Sequence, residues 1–304
     1  MRAMSAPTEA ARETFSDRIL AFTVPGRNAR GRVVRLDTVA DEVMSAHDYP
    51  PAIKHLLAEA LVLAALIGSL LKDEQGQMTM QAQTEGGVVR LLVCDYRAGE
   101  LRGYVDFDRD RMGELGANPS LYALFGKGYL AITFDLAGGG GRYQGVVALE
   151  GESLAEACEN YFAQSEQVPT LIRVAARSTA QGCLAAGLLA QHLPTTEEGG
   201  ERLHTAEEQH EWEHVATLAG STRHEELLDS KLSLEALVWR LFHEEDEIRI
   251  EQGAELGRGC RCSIEHYRSV IERFPPDERA AMRDDEGRIM VDCAFCSRLF
   301  QIEA

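Results

Sequence analysis

Four cysteines near the C-terminal end constrain this chain more than any other feature. Cys260 and Cys262 form one close pair, and thirty residues later Cys293 and Cys296 form a second. Two close pairs at this separation can converge into one tetrahedral thiolate site, which zinc occupies most often. Four sulfur ligands also suit an iron–sulfur cluster. We expect one Zn²⁺ per chain on these four side chains.

The segment that carries the cysteines is small, which favours a redox switch. Residues 257–304 bury too little apolar surface to fold unaided, whereas zinc contributes about 10–16 kcal/mol to small structural sites at neutral pH. Each cysteine has a neighbour in its own pair with which it can form a disulfide, and a disulfide sulfur binds metal poorly. Reduced protein would then be zinc-bound and folded, and oxidised protein metal-free and locally unfolded. The alternative is a static zinc site that only stabilises the tail.

Charge and apolar patterning exclude several classes of partner. The 304 residues carry a formal net charge of −18, which argues against nucleic-acid binding, because that affinity depends on Lys and Arg. The most apolar run, Leu56 to Leu71, is short for a bilayer and contains Glu59, so we predict a buried core helix rather than a membrane segment. The first residues lack the apolar segment of a secretory signal. We expect a cytoplasmic protein, whose thiols are kept reduced.

The apolar periodicity predicts an α+β fold after a frayed arm over residues 1–16. Helices are predicted from Asp37 or Thr38 to Ala46, over 52–72 and from Ser153 to 165. Strands are predicted over 78–84, 88–96, 101–107, 129–136 and 142–149, and residues 170–176 are expected to be extended. Residues 178–193 are ambiguous between helix and strand. Gly182, Gly187 and Pro194 favour a strand pair there.

An acidic segment follows this predicted core. Residues 201–251 contain fourteen acidic residues and five Lys or Arg. Capping-box patterns begin at Thr205 and Thr222, and Ser233 can cap a third helix. Short helices persist in water only when they pack on something else, so this segment is expected to be among the least stable parts of the fold.

In the tail, Ser263 and Pro276 are predicted to begin two short helices, and a hairpin over 289–302 carries the second cysteine pair. We therefore divide the chain into three domains. A mixed helix and sheet core covers 1–194, an acidic, redox-sensitive helical linker covers 195–256, and a zinc-binding redox-switch domain covers 257–304.

Other short motifs accompany the two cysteine pairs. They are His47-Asp48-Tyr49-Pro50, Gly126-Lys127-Gly128-Tyr129, the runs from Arg142 to Val147 and from Leu149 to Gly151, the run from Tyr161 to Thr170, and the run from Val238 to Glu245. Together with the cysteines, they resemble the redox-regulated heat-shock holdase chaperones of about 33 kDa. The resemblance covers nearly the whole chain.

This resemblance implies an ATP-independent chaperone, not an enzyme, that holds unfolding client proteins during oxidative stress. It implies zinc on the four cysteines in an inactive, reduced state. Oxidation would form the Cys260–Cys262 and Cys293–Cys296 disulfides, release zinc, unfold the linker and favour a homodimer. The resemblance also favours strands over residues 178–193.

A holdase needs apolar surface that is covered at rest, because large exposed patches promote aggregation. The linker helices carry apolar side chains at roughly helical spacing. We expect these residues to pack on the core in the reduced protein and to contact clients after release. The residues that we assign to client binding are Trp212, Leu218, Leu237, Trp239 and Phe242.

The sequence leaves two other functions open. An enzyme of thiol–disulfide exchange would use Cys293 and Cys296, but such a pair normally begins a helix, and a strand is predicted after Cys296. A zinc ribbon that binds nucleic acid is disfavoured by the acidic charge. The remaining cysteines, Cys94, Cys158 and Cys183, lie in apolar segments and are expected to be buried bystanders.

Overall fold

An apolar helix lies at the centre of the structure, between two β-sheets. The computed structural model describes residues 16–73, 75–139, 141–179, 182–193 and 206–302. Residues 1–15 of the predicted arm, and Thr205 of the first linker capping box, lie outside these ranges.

The regular elements within the described residues are as follows. The strands are β1 (Arg18–Val24), β2 (Ala29–Leu36), β3 (Gln77–Thr84), β4 (Val89–Arg97), β5 (Glu100–Phe107), β6 (Gly128–Asp135), β7 (Arg142–Ala148), β8 (Thr170–Thr179), β9 (Gly182–His192), β10 (Arg249–Glu255), β11 (Gly257–Arg258), β12 (Ile289–Asp292) and β13 (Leu299–Ile302). The α-helices are α1 (Thr38–Met44), α2 (Pro51–Gly68), α3 (Arg109–Glu114), α4 (Leu121–Phe125), α5 (Leu154–Tyr161), α6 (Ala206–Gly220), α7 (His224–Leu227), α8 (Leu234–Phe242), α9 (Ile264–Ile271) and α10 (Pro276–Ala281).

Two largely antiparallel sheets enclose helix α2. Sheet A has the strand order β10-β1-β2-β9-β8, and sheet B has the order β11-β5-β4-β3-β6-β7. Helix α2 contacts strands of both sheets, and nearly all of its side chains from Leu56 onward are buried. A helix that is apolar on all sides is expected to be covered on all sides. Although α2 is long and apolar enough to cross a membrane, it forms the core here, as predicted for 56–71.

The α+β fold class is confirmed, with several differences in detail. The five strands predicted between residues 78 and 149 correspond to β3 through β7. Strands β1 and β2 have no counterpart in the prediction. Residues 182–192 form one strand, β9, which pairs with β8, so the expected strand pair inside 178–193 is wrong: its first strand begins at Thr170.

The linker helices lie on the face of sheet A that points away from α2. Their apolar side chains join those of β1, β2, β8 and β9 in a second buried cluster, in which the rings of Phe22 and Phe242 are 5.4 Å apart. Strand β10 pairs with β1 at the edge of sheet A. Part of the predicted helical linker is therefore a strand.

Helix capping in the linker differs from the prediction at one position. Ser233 caps α8 through a bond from the Ala236 N–H, 3.1 Å long. The second capping box starts one residue later than expected, because the Glu226 carboxylate accepts from the Arg223 N–H at 3.1 Å. The Thr222 hydroxyl instead donates to the Ala219 carbonyl oxygen.

The C-terminal unit is built from α9, α10 and the β12–β13 hairpin. Ser263 caps α9 and Pro276 opens α10, as the sequence indicates. Its buried apolar cluster contains only a few side chains, which are Ile271, Ile289, Cys293, Phe300 and Ile302. Such a small core supplies little stability by itself.

Candidate metal centre

Local backbone structure places the two cysteine pairs opposite each other. Cys260 and Cys262 follow β11, which runs parallel to β5 at the edge of sheet B. Cys293 and Cys296 lie in the turn between β12 and β13, where the N–H groups of Cys296 and Ser297 donate to the Cys293 carbonyl oxygen at 3.2 and 2.8 Å. The second pair therefore belongs to a strand–turn–strand hairpin and not to a helix N-terminus, the usual setting of a thiol–disulfide exchange pair.

The four sulfur atoms converge as the sequence predicted. The Sγ–Sγ distances are 3.3 Å for Cys260–Cys262, 3.6 Å for Cys260–Cys293 and 3.5 Å for Cys262–Cys296. All four sulfurs lie within 4.8 Å of one another. Tetrahedral zinc, with Zn–S bonds of about 2.3 Å, requires sulfur separations of about 3.8 Å. The donor set and its spacing therefore fit one tetrahedral thiolate-bound ion.

The thiols of this site differ in acidity. Burial opposes ionisation of Cys293, but hydrogen bonds from the Tyr267 hydroxyl and from the N–H groups of Cys296 and Phe295 outweigh it and lower the pKa of Cys293 to about 6. Burial, followed by the neighbouring sulfurs, raises the pKa of Cys262. Burial also raises the pKa of Cys296. Without metal, Cys293 is thus mostly ionised at neutral pH.

A buried carboxylate on sheet B holds the first cysteine pair against the core. The Asp95 side chain is 2% exposed. It accepts from the Arg102 guanidinium at 2.6 Å and from the Thr79 hydroxyl at 2.7 Å. Arg261, which lies between the two cysteines of the first pair, donates to the same carboxylate at 3.3 Å. The residue between these cysteines is therefore a docking residue.

The second cysteine pair is docked by His47, the first residue of the His47-Asp48-Tyr49-Pro50 motif, together with Ala46 and Arg102. Nε2 of His47 donates to the Ala294 carbonyl oxygen at 2.8 Å, and the Ser297 hydroxyl donates to the Ala46 carbonyl oxygen at 2.7 Å. The Arg102 guanidinium lies 4.1 Å from the centre of the Phe295 ring, within the range of a cation–π interaction. In the sequence, this motif contributes only to the family resemblance, and nothing in it predicts the contact with Ala294.

The five residues assigned to client binding do not share one environment. Leu237 and Phe242 are buried against sheet A. Trp212 and Leu218 are half-buried beside the same cluster. Trp239 differs from them, because it is 60% exposed and stacks on His243 in the docked linker.

The other three cysteines are buried, as expected, and belong to the core. Cys94, Cys158 and Cys183 lie in the cluster around α2. Burial raises the pKa of all three thiols, that of Cys183 to about 11. They are therefore thiols at neutral pH and react slowly.

Comparisons with known proteins agree on one family. A family model described as "Hsp33 protein" matches residues 17–303. The chain is 40% identical over 297 residues to the 33 kDa chaperonin of Caulobacter vibrioides, with 95% of each chain covered. It is 35% identical over 277 residues to that of Shewanella loihica, covering 91% of this chain and 89% of the relative. The crystal structure of a 33 kDa chaperonin from Thermotoga maritima shares the fold, with a TM-score of 0.75, 22% identity and 94% of each chain covered.

Proposed function

Because this chain belongs to the Hsp33 family of heat-shock chaperones, we propose that it is an ATP-independent holdase that oxidation switches on. The observation that carries the proposal is the cluster of four free thiols in two close pairs, on a unit with a very small core. The protein binds unfolding clients and catalyses no reaction. Its place of action is the cytoplasm, where thiols are reduced at rest.

In the resting state, Cys260, Cys262, Cys293 and Cys296 hold one Zn²⁺. The ion supplies a cross-link between the β12–β13 turn and the loop after β11, and it keeps the four sulfurs as thiolates. The C-terminal unit then stays docked through Asp95 and His47. The linker between this unit and the core remains folded on sheet A.

Oxidation removes the metal ligands in pairs. Each disulfide forms when two thiolates give up two electrons to hydrogen peroxide, which takes two protons from solvent and is reduced to two molecules of water. In the metal-free site Cys293 is the favoured nucleophile, because its pKa is lowered to about 6 whereas burial raises those of Cys262 and Cys296. The products are the Cys293–Cys296 and Cys260–Cys262 disulfides, which no longer bind zinc.

Loss of zinc unfolds the C-terminal unit and frees the linker. The docked linker helices bury Leu237 and Phe242, with Trp212 and Leu218 partly covered, and release exposes these residues to clients. Trp239 is available to clients before release as well.

Two released chains associate as a homodimer. The switch divides the chain into the core (1–194), the linker (195–256) and the zinc domain (257–304), although β10 gives the end of the linker a strand contact with the core.

The test follows zinc release and chaperone activity in the same sample. Reduced, zinc-loaded protein is treated with peroxide. A metal-binding dye reports zinc, and light scattering reports aggregation of a heat-unfolding client. Zinc should leave first, protection should follow, and reductant with zinc should reverse both. Zinc loss without protection contradicts the proposal.

A matched control separates the four site cysteines from the buried ones. The variant Cys94→Ala, Cys158→Ala, Cys183→Ala keeps the metal site and removes the other thiols. It should release zinc and gain activity as the wild type does. If this variant no longer releases zinc or gains activity on oxidation, then the core thiols, and not the four site cysteines, carry the redox chemistry.

A further inference from the structure

The surface of sheet A that the linker covers is basic, in contrast to the rest of the chain. Strands β1, β2, β8 and β9 contain six arginines and neither Asp nor Glu, although the whole chain has a net charge of −18. Strand alternation places Arg30 and Arg32 on the α2 side, where Arg32 donates to the Ser69 carbonyl oxygen. The other four, Arg18, Arg35, Arg173 and Arg177, lie on the linker side. Residues 206–248 of the linker contain twelve acidic residues and three Lys or Arg. The linker and the sheet are therefore complementary in charge as well as in apolar surface.

Two ion pairs hold the ends of helix α8 on this surface. Nη2 of Arg18 donates to both carboxylate oxygens of Glu235, at 3.0 and 2.9 Å. Nε of Arg27 donates to Glu245 at 2.9 Å, and the Glu245 side chain is 9% exposed. Glu235 lies in the first turn of α8, and Glu245 lies three residues beyond its end. Arg18 and Arg27 thus flank a site that holds a helix of 9 residues with an acidic residue near each end.

Apolar side chains fill the space between these two arginines. Leu20, Phe22 and Val24 alternate along β1 on the side that faces the linker, and they pack in the same cluster as α8. We call this surface the arginine face, defined by Arg18, Arg27 and Arg35 with the apolar residues of β1 between them.

Arg35 gives the arginine face a buried donor. This side chain is fully buried, and it donates to the carbonyl oxygens of Leu227 at 3.0 Å and Leu232 at 2.8 Å. Its Nη2 atom has no hydrogen-bond partner among the described residues. When the linker leaves, Arg35 loses both acceptors. Release also exposes Arg35 to water, and a ligand that covers it again must supply carbonyl or carboxylate oxygens, because a buried guanidinium without acceptors is unfavourable.

We infer that the arginine face, once the linker is released, binds client segments that resemble the linker. These are amphipathic helical segments in unfolding proteins, with an apolar stripe and acidic residues at both ends. The apolar stripe supplies most of the affinity, and the arginines select the charge of the flanks. The inference rests on the proposed function, because release of the linker is what exposes the face.

This selectivity runs against the overall charge of the protein. A chain of −18 attracts basic peptides at long range. At an ionic strength of about 0.15 M the Debye length is about 8 Å, so contacts at the binding surface outweigh distant charges. A preference for acidic segments is therefore a specific signature of the arginine face.

The test measures the binding of two designed helical peptides to the oxidised, zinc-free full chain. Both peptides carry the same Leu and Phe stripe, and their flanks carry Glu in one and Lys in the other. Fluorescence anisotropy at about 0.15 M salt gives the ratio of the two affinities. This ratio is compared between the variant Arg18→Glu, Arg27→Glu and the control Arg90→Glu, Arg142→Glu. The control arginines lie on sheet B, where each pairs with an exposed aspartate, so the change in net charge is the same.

The two variants should differ clearly. The Arg18→Glu, Arg27→Glu change should shift the affinity ratio away from the acidic peptide by about tenfold, because two attractive contacts become repulsive. The control should change the ratio by less than about twofold. Equal ratios in the two variants overturn the inference. The inference is also overturned if the Arg18→Glu, Arg27→Glu variant loses self-association while its affinity ratio stays unchanged. In that case the arginine face binds the linker of a second copy of the chain.

The aggregation assay keeps this inference separate from the proposed function. If the oxidised chain protects a heat-unfolding client but shows no charge preference that depends on Arg18 and Arg27, the inference fails and the holdase stands. If oxidation gives no protection at all, the proposed function fails, whichever peptide binds better.

Discussion

Asp95 is the residue on which docking of the C-terminal unit most depends. Its carboxylate is almost fully buried and accepts from Thr79, Arg102 and Arg261. The Arg102 guanidinium also lies over the ring of Phe295, so one cluster of side chains contacts both cysteine pairs. Removing one partner of a buried ion pair costs more than the pair contributes, because the other charge stays buried.

We predict that Asp95→Asn loosens the docking of the C-terminal unit. The change removes the carboxylate with which the Arg102 and Arg261 guanidinium groups pair, and it should lower the stability of the docked state by about 2 kcal/mol. Hydrogen exchange of the Gly257 and Gly259 amides, which donate to the carbonyl oxygens of Gly99 and Leu101, should accelerate, and peroxide should release zinc sooner. Asp106→Asn is the control, because its pair with Arg90 is exposed and contributes little. Equal exchange rates in the two variants would contradict the docking role of Asp95.

At the proposed zinc site, Tyr267 should influence how many protons zinc binding releases. Its hydroxyl lowers the pKa of Cys293, so this thiol has largely lost its proton at pH 7, whereas Cys262 and Cys296 have raised pKa values and lose theirs when zinc binds. Zinc affinity should therefore fall about a hundredfold or more per pH unit as the pH decreases near 7. Tyr267→Phe should raise the pKa of Cys293 and increase the number of protons released. Calorimetry in buffers of different ionisation enthalpy counts these protons, and an unchanged count would show that Tyr267 has no such effect.

The sequence identifies the sulfurs of the site but not the residues that dock it. The spacing of two close cysteine pairs is a local signal, and it predicts the cluster correctly. Arg261 and Asp95 are 166 positions apart, and His47 and Ala294 are 247 apart. No local pattern marks such pairs, because each depends on how the C-terminal unit sits against sheet B.

At the scale of elements, the sequence predicts a helix or strand correctly where one face of the element is buried and the other is exposed to solvent. Strands β3, β5 and β7 follow this rule most clearly. In β1, Ile19 belongs to the α2 cluster and Leu20, Phe22 and Val24 belong to the linker cluster, so its buried residues are not confined to one side. Strand β10 cannot be recognised from buried positions, since all of its residues are exposed. Its place at the edge of sheet A depends on backbone hydrogen bonds to β1, which leave no apolar pattern.

Helix α8 is the linker element whose packing is best defined, and Phe242 is the residue to change. Phe242→Ala should destabilise the docked linker by about 3 kcal/mol, because it removes a fully buried ring that packs on Phe22. The reduced variant should show faster proteolysis within residues 206–248 and some activity without peroxide. Trp239→Ala is the matched control, because its ring is mostly exposed. If both variants open the linker equally, burial on sheet A does not hold it in place.

At the scale of the whole molecule, stability is distributed unevenly over three apolar clusters. The largest surrounds α2 between the two sheets, a smaller one lies between sheet A and the linker, and the smallest lies in the C-terminal unit. Buried apolar area sets most of the folding free energy. The same uneven distribution allows one end of the chain to open while the core persists.

Removing zinc with a chelator should therefore unfold the C-terminal unit and leave the core intact. Zinc accounts for about 10–16 kcal/mol in small structural sites, which the few buried side chains around Phe300 cannot replace. Amides of β12 and β13 should exchange freely in the chelated protein, while those of α2 stay protected. Mutation of the core thiol Cys158 to Ala should not alter this pattern. If α2 loses protection together with the hairpin, then the chain unfolds as one cooperative unit, and oxidation could not release the linker without destroying the sheet on which clients are proposed to bind.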